Sequence, residues 1–374
     1  MRSQLKIMDN FDVIIIGGGT AGLILARELG KLKRKTLVLE RKDNLLEFSF
    51  NTLGSFLNLK EFGLTRGVVA QDIDTISFHS NNIKRKVKSN LYILDKKKVH
   101  EELLLGIDNK YITIKTGVNI KSIDNTNNGQ FNSVIDKNKV MYSAKIFIDA
   151  SGTNGVISKQ VGLRKKKVDL ATGVEYNVKY FGNSSEGHLL IGKEYQGGYG
   201  WIFPLKDERA IIGFGTFDEK IVKDLKKRLN KILELPKISK LVEKDNNNIE
   251  GGSIPITPVL EKFVLKNLVC IGDSVSQVNP IVGEGYKFIF ESALIASKAI
   301  EKALAKGDFD YLLEYESNWK KRFLKNYKRS KLAQERFFKY SKSNFLIDFG
   351  MVLSKFYSDK RIVKSLSGEY ELDK

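Results

Sequence analysis

The sequence predicts an α/β protein: a parallel-sheet unit that opens the chain and returns near its end, an inserted and mostly antiparallel β-sheet domain, and a C-terminal helical region. Three observations predict it. A β-branched run, Val13-Ile14-Ile15-Ile16, leads into a glycine turn and an apolar helix. Two later apolar strands, one ending at Asp149 and one leading into Gly272-Asp273, repeat the pattern of a strand followed by an acid and a glycine. From about Asp169 to Phe217, apolar and polar residues alternate with the period of a half-buried strand.

The opening unit is Phe11-Asp-Val-Ile-Ile-Ile-Gly17-Gly18-Gly19-Thr20-Ala21-Gly22, then Leu23-Ile-Leu-Ala-Arg-Glu-Leu, then Lys35-Thr-Leu-Val-Leu-Glu40. Strand, Gly-x-Gly-x-x-Gly turn, helix and acid-terminated strand make a complete Rossmann-type dinucleotide-binding unit. Gly17 allows the tight turn, Gly19 lets the backbone approach a pyrophosphate, and Gly22 lets the helix pack on its strand. With Thr20 and Ala21, the helix N-terminus then offers free N–H groups and a positive dipole end to the phosphates. Glu40, 18 residues beyond Gly22, is placed to accept hydrogen bonds from ribose hydroxyls and would repel a 2′-phosphate, which favours FAD or NAD over NADP. Arg41 beside it joins the candidate cofactor-binding set.

Lys145-Ile-Phe-Ile-Asp149-Ala150-Ser151-Gly152 is the second such strand. Leu268-Val-Cys-Ile-Gly272-Asp273-Ser274 is the third, followed by Asn279-Pro280 and by Gly283-Glu284-Gly285, which opens a long helix through about Ala305. An acid after a strand, followed by a helix N-terminus, can hold a ribitol hydroxyl while amides face a flavin pyrimidine edge. The expected cofactor is therefore FAD, bound at both ends.

Between these segments lie Gly173-Val-Glu-Tyr-Asn-Val-Lys-Tyr, His188-Leu-Leu-Ile and Ala210-Ile-Ile-Gly-Phe-Gly, the strands of a substrate domain. Asp218 to Leu235 has the periodicity of a solvated helix, and the final 70 or so residues read as helices. The expected division is a discontinuous FAD-binding domain (1–75, 95–165 and 262–305), a substrate-binding β-sheet domain (76–94 and 166–261) and a C-terminal helical region (306–374).

Composition sets outer limits. With 374 residues, 42% hydrophobic and 29% charged, the chain is neither disordered nor a disulfide scaffold. A single cysteine, Cys270, allows no internal disulfide, and the three histidines are too scattered for a metal site. No signal-type leader and no run of the roughly 20 apolar residues needed to span a bilayer are present, so a cytoplasmic setting is expected. The net charge of +19 comes from 63 basic residues, 50 of them lysine, beside many Asn and Ile, the composition an AT-rich coding sequence gives. The charge is nevertheless uneven. Tyr315 to Lys364 holds 14 Lys/Arg against 4 Asp/Glu, interleaved with Trp319, Phe323, Phe337, Phe338, Phe345 and Phe356, a pattern suited to docking on an anionic membrane surface. No nucleic-acid partner is expected.

The order Gly-x-Gly-x-x-Gly, Glu40, Asp149-Ala-Ser-Gly152 and Gly272-Asp273 resembles the para-hydroxybenzoate hydroxylase-like class of FAD enzymes. Within it, Gly197-Gly198-Tyr199-Gly200-Trp201-Ile202-Phe203-Pro204, with Gly213-Phe214-Gly215 after eight intervening residues, is similar to the Tyr-x-Trp-x-Phe-Pro…Gly-x-Gly signature of the geranylgeranyl reductase family. The segment from Gly272 through Gln277, Pro280 and Gly285 resembles that family's flavin-binding segment, and Tyr315-Glu316-Ser-Asn-Trp319-Lys-Lys-Arg extends the similarity over most of the chain.

The resemblance implies an FAD-dependent oxidoreductase that saturates isolated carbon–carbon double bonds of a prenyl chain on a lipid, a quinone or a related isoprenoid. It places Tyr199, Trp201, Phe203 and Pro204 in the substrate cavity, with Pro204 also fixing the turn. Tyr199, Trp201 and Glu284 are the candidate catalytic residues; Tyr199 is the first choice of proton relay, and Glu284 also suits capping of its helix. The electron donor (NAD(P)H, ferredoxin or a quinol-linked carrier) would bind transiently, since the chain has no second glycine fingerprint. One departure stands out: Glu40 to Lys60 lacks the cysteine many archaeal members carry and offers Phe48-Ser-Phe-Asn-Thr-Leu-Gly-Ser55. Cys270 lies elsewhere, in a strand, where a buried inert thiol is expected. Two alternatives use the same fold: an FAD-dependent monooxygenase or halogenase, whose Trp-x-Trp-x-Ile-Pro motif neighbours Tyr199 to Pro204, and a lycopene cyclase-like flavoenzyme without net redox change.

Overall fold

The computed structural model describes residues 7–126, 129–165 and 167–369. In chain order its elements begin β1 (Ile7–Ile16), α1 (Thr20–Lys31), β2 (Thr36–Leu39), β3 (Thr52–Ser55), β4 (Val69–His79), β5 (Lys84–Asp95), α2 (Lys96–Leu105), β6 (Ile112–Lys115), β7 (Ile120–Asn125), β8 (Phe131–Asp136), β9 (Met141–Asp149) and α3 (Val156–Gln160). There follow β10 (Leu170–Tyr180), β11 (Glu186–Leu190), β12 (Gly198–Pro204), β13 (Arg209–Thr216), α4 (Leu225–Leu233), α5 (Pro236–Ser239), β14 (Val242–Glu243), β15 (Ile249–Pro255), β16 (Val264–Leu265) and β17 (Leu268–Cys270). The chain closes with α6 (Tyr286–Lys306), α7 (Leu313–Trp319), α8 (Lys325–Tyr340), α9 (Asn344–Ser354) and α10 (Asp359–Leu366).

The first sheet runs β16-β17-β9-β1-β2-β6, with β8 on β9 and β7 on β8. Its centre is parallel because β1 and β2 are joined by a helix, and Val13 to Ile16 are buried on both faces. Register brings Ile16 beside Leu39 and Asp149, and Asp149 beside Cys270. The carboxyl ends of β1, β2, β9 and β17 therefore open on one edge, where a crevice forms in sheets of this type. Helices α1 and α6 cover the sheet, α6 contributing the buried Phe288, Phe290, Ala293, Ala296 and Ile300.

The second sheet runs β14-β10-β13-β12-β11-β4-β5-β3, with β15 also on β10. Every pair is antiparallel except β11 on β4. It takes in β3 and all of Val69–Asp95, a wider share of the first hundred residues than the alternation alone suggests. Strand period two divides its residues. On one face Tyr176, Val178, Ile202, Ala210, Ile212 and Phe214 pack on Leu225, Leu229 and Ile232 of α4, a helix shorter than the span from Asp218 to Leu235. The other face carries Gly173, Glu175, Tyr199, Trp201, Phe203, Gly213 and Gly215 toward the crevice of the first sheet. No described helix is long and apolar enough to cross a membrane.

Candidate active site

The glycine turn has the geometry that its spacing predicts. Gly17 has φ +113°, and a Cβ there would lie 2.4 Å from the Ala150 carbonyl oxygen; one at Gly22 would lie 1.9 Å from the Gly17 oxygen. A Cβ at Gly19 meets nothing within 4 Å, so open space faces the N-terminus of α1, which no side chain caps. Free amides, a dipole end and room for a close approach fit a pyrophosphate. Glu40 stands at the end of β2, accepting from the Gly18 and Lys42 amides at 2.7 and 2.9 Å, which leaves lone pairs on both oxygens for ribose hydroxyls. Arg41 is exposed just beyond it. The Thr20 hydroxyl is engaged with His100 Nε2 (2.9 Å) and Tyr286 (3.2 Å), while Thr20 and Ala21 line the cavity.

The two strand-end acids diverge. Asp149 is fully buried and faces away from the crevice: its carboxylate accepts from the Ser151 amide and hydroxyl and caps α3 through the Ile157 and Ser158 amides, at 2.5–3.1 Å. Of that segment, Ala150 and Gly152 reach the cavity. Asp273 does line it, and burial pushes its carboxyl up to about 6. Gly272, at φ +70°, packs on Ala21 of α1, a Cβ there lying 3.1 Å from the Ala21 Cβ. The Pro280 carbonyl takes a hydrogen bond from Gln334 of α8 at 2.7 Å, and Pro280 itself stays out of the cavity. Gly283, Glu284 and Gly285 line it. Glu284 accepts from the Ser55 hydroxyl (2.7 Å) and the Lys287 amide (3.0 Å), so it does cap α6; its other oxygen is buried and has no partner among the described residues.

These loops border one cavity of about 440 Å³ between the sheets. The dinucleotide turn and the Gly283–Gly285 loop form one side, and the aromatic face of the second sheet forms the other. Tyr199, Trp201 and Phe203 all line it; Pro204 does not, since alternation along β12 turns it with Ile202 onto the opposite core. The Trp-x-Phe…Gly-x-Gly spacing acquires a physical meaning here. Register sets Trp201 opposite Gly213 and Tyr199 opposite Gly215, and the indole lies flat over this glycine floor: a Cβ at Gly213 would be 2.2 Å from the ring, at Gly173 3.1 Å and at Gly215 3.3 Å. Phe203 stacks beside Trp201 at 6.5 Å between centroids. The Tyr199 hydroxyl donates to the Val282 carbonyl at 2.5 Å, and burial pushes its pKa up.

The loop without a cysteine contributes Phe50, Thr52, Leu53 and Gly54 to the wall, an apolar surface in place of a thiol. Cys270 is fully buried in β17, its thiol pushed well up by burial. Sequence reasoning missed four residues. Arg164 is buried and donates to the Gly152, Asp273 and Ser274 carbonyls at 2.9–3.2 Å, tying together the two loops at the crevice. Lys96, at the start of α2, Leu366, at the end of α10, and Glu175 in β10 all line the cavity. Glu175 stands among alternating residues and carries no motif; its only signal would have been its register beside the glycine floor.

The sequence profile of the family described as lycopene cyclase protein matches residues 12–349. A protein of Methanocaldococcus jannaschii named digeranylgeranylglycerophospholipid reductase is 26% identical over 344 residues, covering 85% of this chain and 84% of that protein. The crystal structure of a geranylgeranyl bacteriochlorophyll reductase-like protein from Thermoplasma acidophilum superposes with a TM-score of 0.80 at 20% identity, over 98% of this chain and 93% of that one. A flavin-dependent brominase superposes with a TM-score of 0.76 at 16% identity, over 96% and 94%.

Proposed function

The chain belongs to the lycopene cyclase protein family, and from that premise we propose that it is an FAD-dependent reductase of carbon–carbon double bonds in a prenyl chain carried by a lipid. The observation that carries this reading is the continuity of one cavity from the dinucleotide turn to the Trp201 slab, together with relatives named for the reduction of digeranylgeranylglycerophospholipids. The likeness to the brominase is one of fold, and no observation at the site favours halogenation or oxygenation.

Gly19 and the α1 N-terminus would hold the pyrophosphate, Glu40 the adenosine ribose, and Asp273 with the Glu284 and Gly285 amides the flavin end, the Gly283 amide being engaged by the Asn279 carbonyl at 2.8 Å. Bound and reduced, the flavin supplies a hydride equivalent. An isolated alkene offers no developing oxyanion to stabilise, so the protein acts by orientation and exclusion of water. Trp201 and Phe203 provide flat apolar walls, and Phe50, Leu53 and Leu366 close the rest. In this division of labour the first sheet with α1 and α6 holds cofactor and the second sheet holds substrate. The electron donor docks transiently.

An anionic bilayer is the proposed partner surface. Helix α9 anchors by Ile347 and Met351 and by Asp348, which accepts from Ser80 and Asn82. Its other face exposes Phe345 (77%), Phe349 (54%) and, just beyond it, Phe356 (83%), flanked by Lys339, Lys342, Lys355 and Lys360. Apolar residues ringed by cations suit an anionic interface.

The test is anaerobic: the flavin-loaded, dithionite-reduced protein is incubated with geranylgeranyl-bearing lipids and prenyl quinones, and product masses are read. A gain of about two mass units per double bond is expected. An isomer of unchanged mass would instead assign a cyclase, and formation of an oxygenated or halogenated product in air would assign the other alternative.

A further inference from the structure

Reduction of an alkene needs a proton as well as a hydride, and the polar groups of the cavity are not equivalent as sources. The Tyr199 proton is committed to the Val282 carbonyl, and Glu284, whose Oε2 is also without a partner among the described residues, accepts two hydrogen bonds on Oε1, from Ser55 and the Lys287 amide, against a single one for Glu175. Glu175 differs. It sits mid-strand in β10, 4% exposed, on the cavity face. One oxygen, Oε2, accepts the Trp201 indole N–H at 3.0 Å, and Oε1 has no partner among the described residues.

The groups around it come from each neighbouring element. Across β13 stands Gly213, which has no side chain, and across β15 stands Glu250, directly in register and acidic, bonded to the Asn51 amide and side chain. From α2, Lys96 lines the same cavity, and Asp273 lines it from the first sheet. Among the described residues no ion pair includes Glu175. A carboxylate with one hydrogen bond, a like charge opposite and no cation in contact is a costly buried species, whereas the neutral acid is tolerated. Burial, followed by Glu250, pushes its pKa up to about 8, against the opposing pull of the Trp201 N–H and the Lys96 ammonium.

We propose that Glu175 is the proton donor to the alkene, a role that rests on the reductase reading above. One alkene carbon takes hydride from reduced flavin, the two-electron donor, which is left oxidised. The other carbon takes the Glu175 proton as the π bond breaks; the O–H pair stays on the carboxylate, and solvent refills the acid after product leaves. Trp201 aligns the carboxyl through its N–H while its ring supports the chain.

Glu175→Gln tests this, because the amide oxygen can still accept the Trp201 N–H and only the acidic proton is lost. In single turnovers of pre-reduced protein, E175Q is expected to be slower by about 10²–10⁴-fold with flavin retained. E175D, which keeps an acid, is expected to recover part of the rate. The wild-type rate should hold below about pH 8 and fall about tenfold per unit above it, a limb absent in E175Q. A flavin-free readout is the infrared carbonyl band of a protonated carboxyl in the wild-type-minus-E175Q difference, expected to persist to about pH 8. An E175Q variant with the wild-type rate, or no such band at neutral pH, overturns the proposal. An isomer of unchanged mass made by the wild type and lost in E175Q overturns the reductase reading and leaves Glu175 as alkene proton donor. A wild type inert toward every prenyl lipid overturns both.

Discussion

A methyl group added at Gly213 would stand 2.2 Å from the Trp201 ring, so Gly213→Ala is expected to displace the indole, at a cost of about 1–3 kcal/mol in stability. Thermal melts and tryptophan fluorescence check it, with flavin content unchanged and alkene reduction lost. At the other end of the crevice, Glu40→Ala removes the acceptor of two backbone amides as well as the proposed ribose contact. Flavin affinity, measured by titration of the apoprotein, should weaken about 10–100-fold, the range for one or two charge-assisted bonds. The aromatic wall was legible because Tyr199, Trp201 and Phe203 are two apart and share a strand face. The same rule of two removes Pro204, which the resemblance had added to the cavity. Asp149 and Asp273 look alike in sequence, each an acid after a buried strand; only the turn that follows decides, and Asp149 is drawn back onto the α3 amides. Glu175 was not legible, because a lone acid in an alternating strand looks solvent-facing until another strand lays an indole across it.

Among elements, β1, α1, β2 and α6 were legible from local pattern alone, since glycine turns and unbroken apolar runs carry their own boundaries. The basic aromatic stretch was not resolved by pattern, because periodicity shows that a helix has an apolar face and not whether a neighbour covers it. Trp319 and Phe323 lie under α6, with Trp319 Nε1 donating to Ser292 at 2.9 Å, so two of the six aromatics of the expected docking surface are core, and Phe337 and Phe338 are half-buried. The exposed part is α9 and the turn after it. The Phe345→Ser/Phe349→Ser/Phe356→Ser variant should retain its fold and flavin and lose most co-sedimentation with anionic vesicles. Binding of the parent protein should fall with added salt and be weak on neutral vesicles. Equal recovery on both lipids would refute the electrostatic part.

For the molecule as a whole, the three histidines set an acid limit. Burial lowers His100 and His188 to about 4 and His79 to about 3, with His79 and His188 hydrogen-bonded to each other at 3.0 Å and His188 to Tyr180 at 2.9 Å. Unfolded imidazoles take up protons near pH 6.5, while the folded ones stay neutral, so the unfolded state binds more protons between about 6.5 and 4. Stability is therefore complete above 6.5 and declines as pH falls toward 4, by about 3 kcal/mol for each of His100 and His188. Melting temperatures at pH 7, 5.5 and 4.5 should show the decline, and His188→Asn should flatten it. The long-range arrangement has a kinetic corollary. The exposed face of α9 belongs to the helical layer whose last member, α10, ends at Leu366 in the cavity wall. Docked on a bilayer by that face, as proposed, the enzyme would meet its substrate in two dimensions. Its turnover would follow the mole fraction of prenyl lipid in the leaflet, so diluting the bilayer with inert lipid would slow it while diluting the suspension with buffer would not.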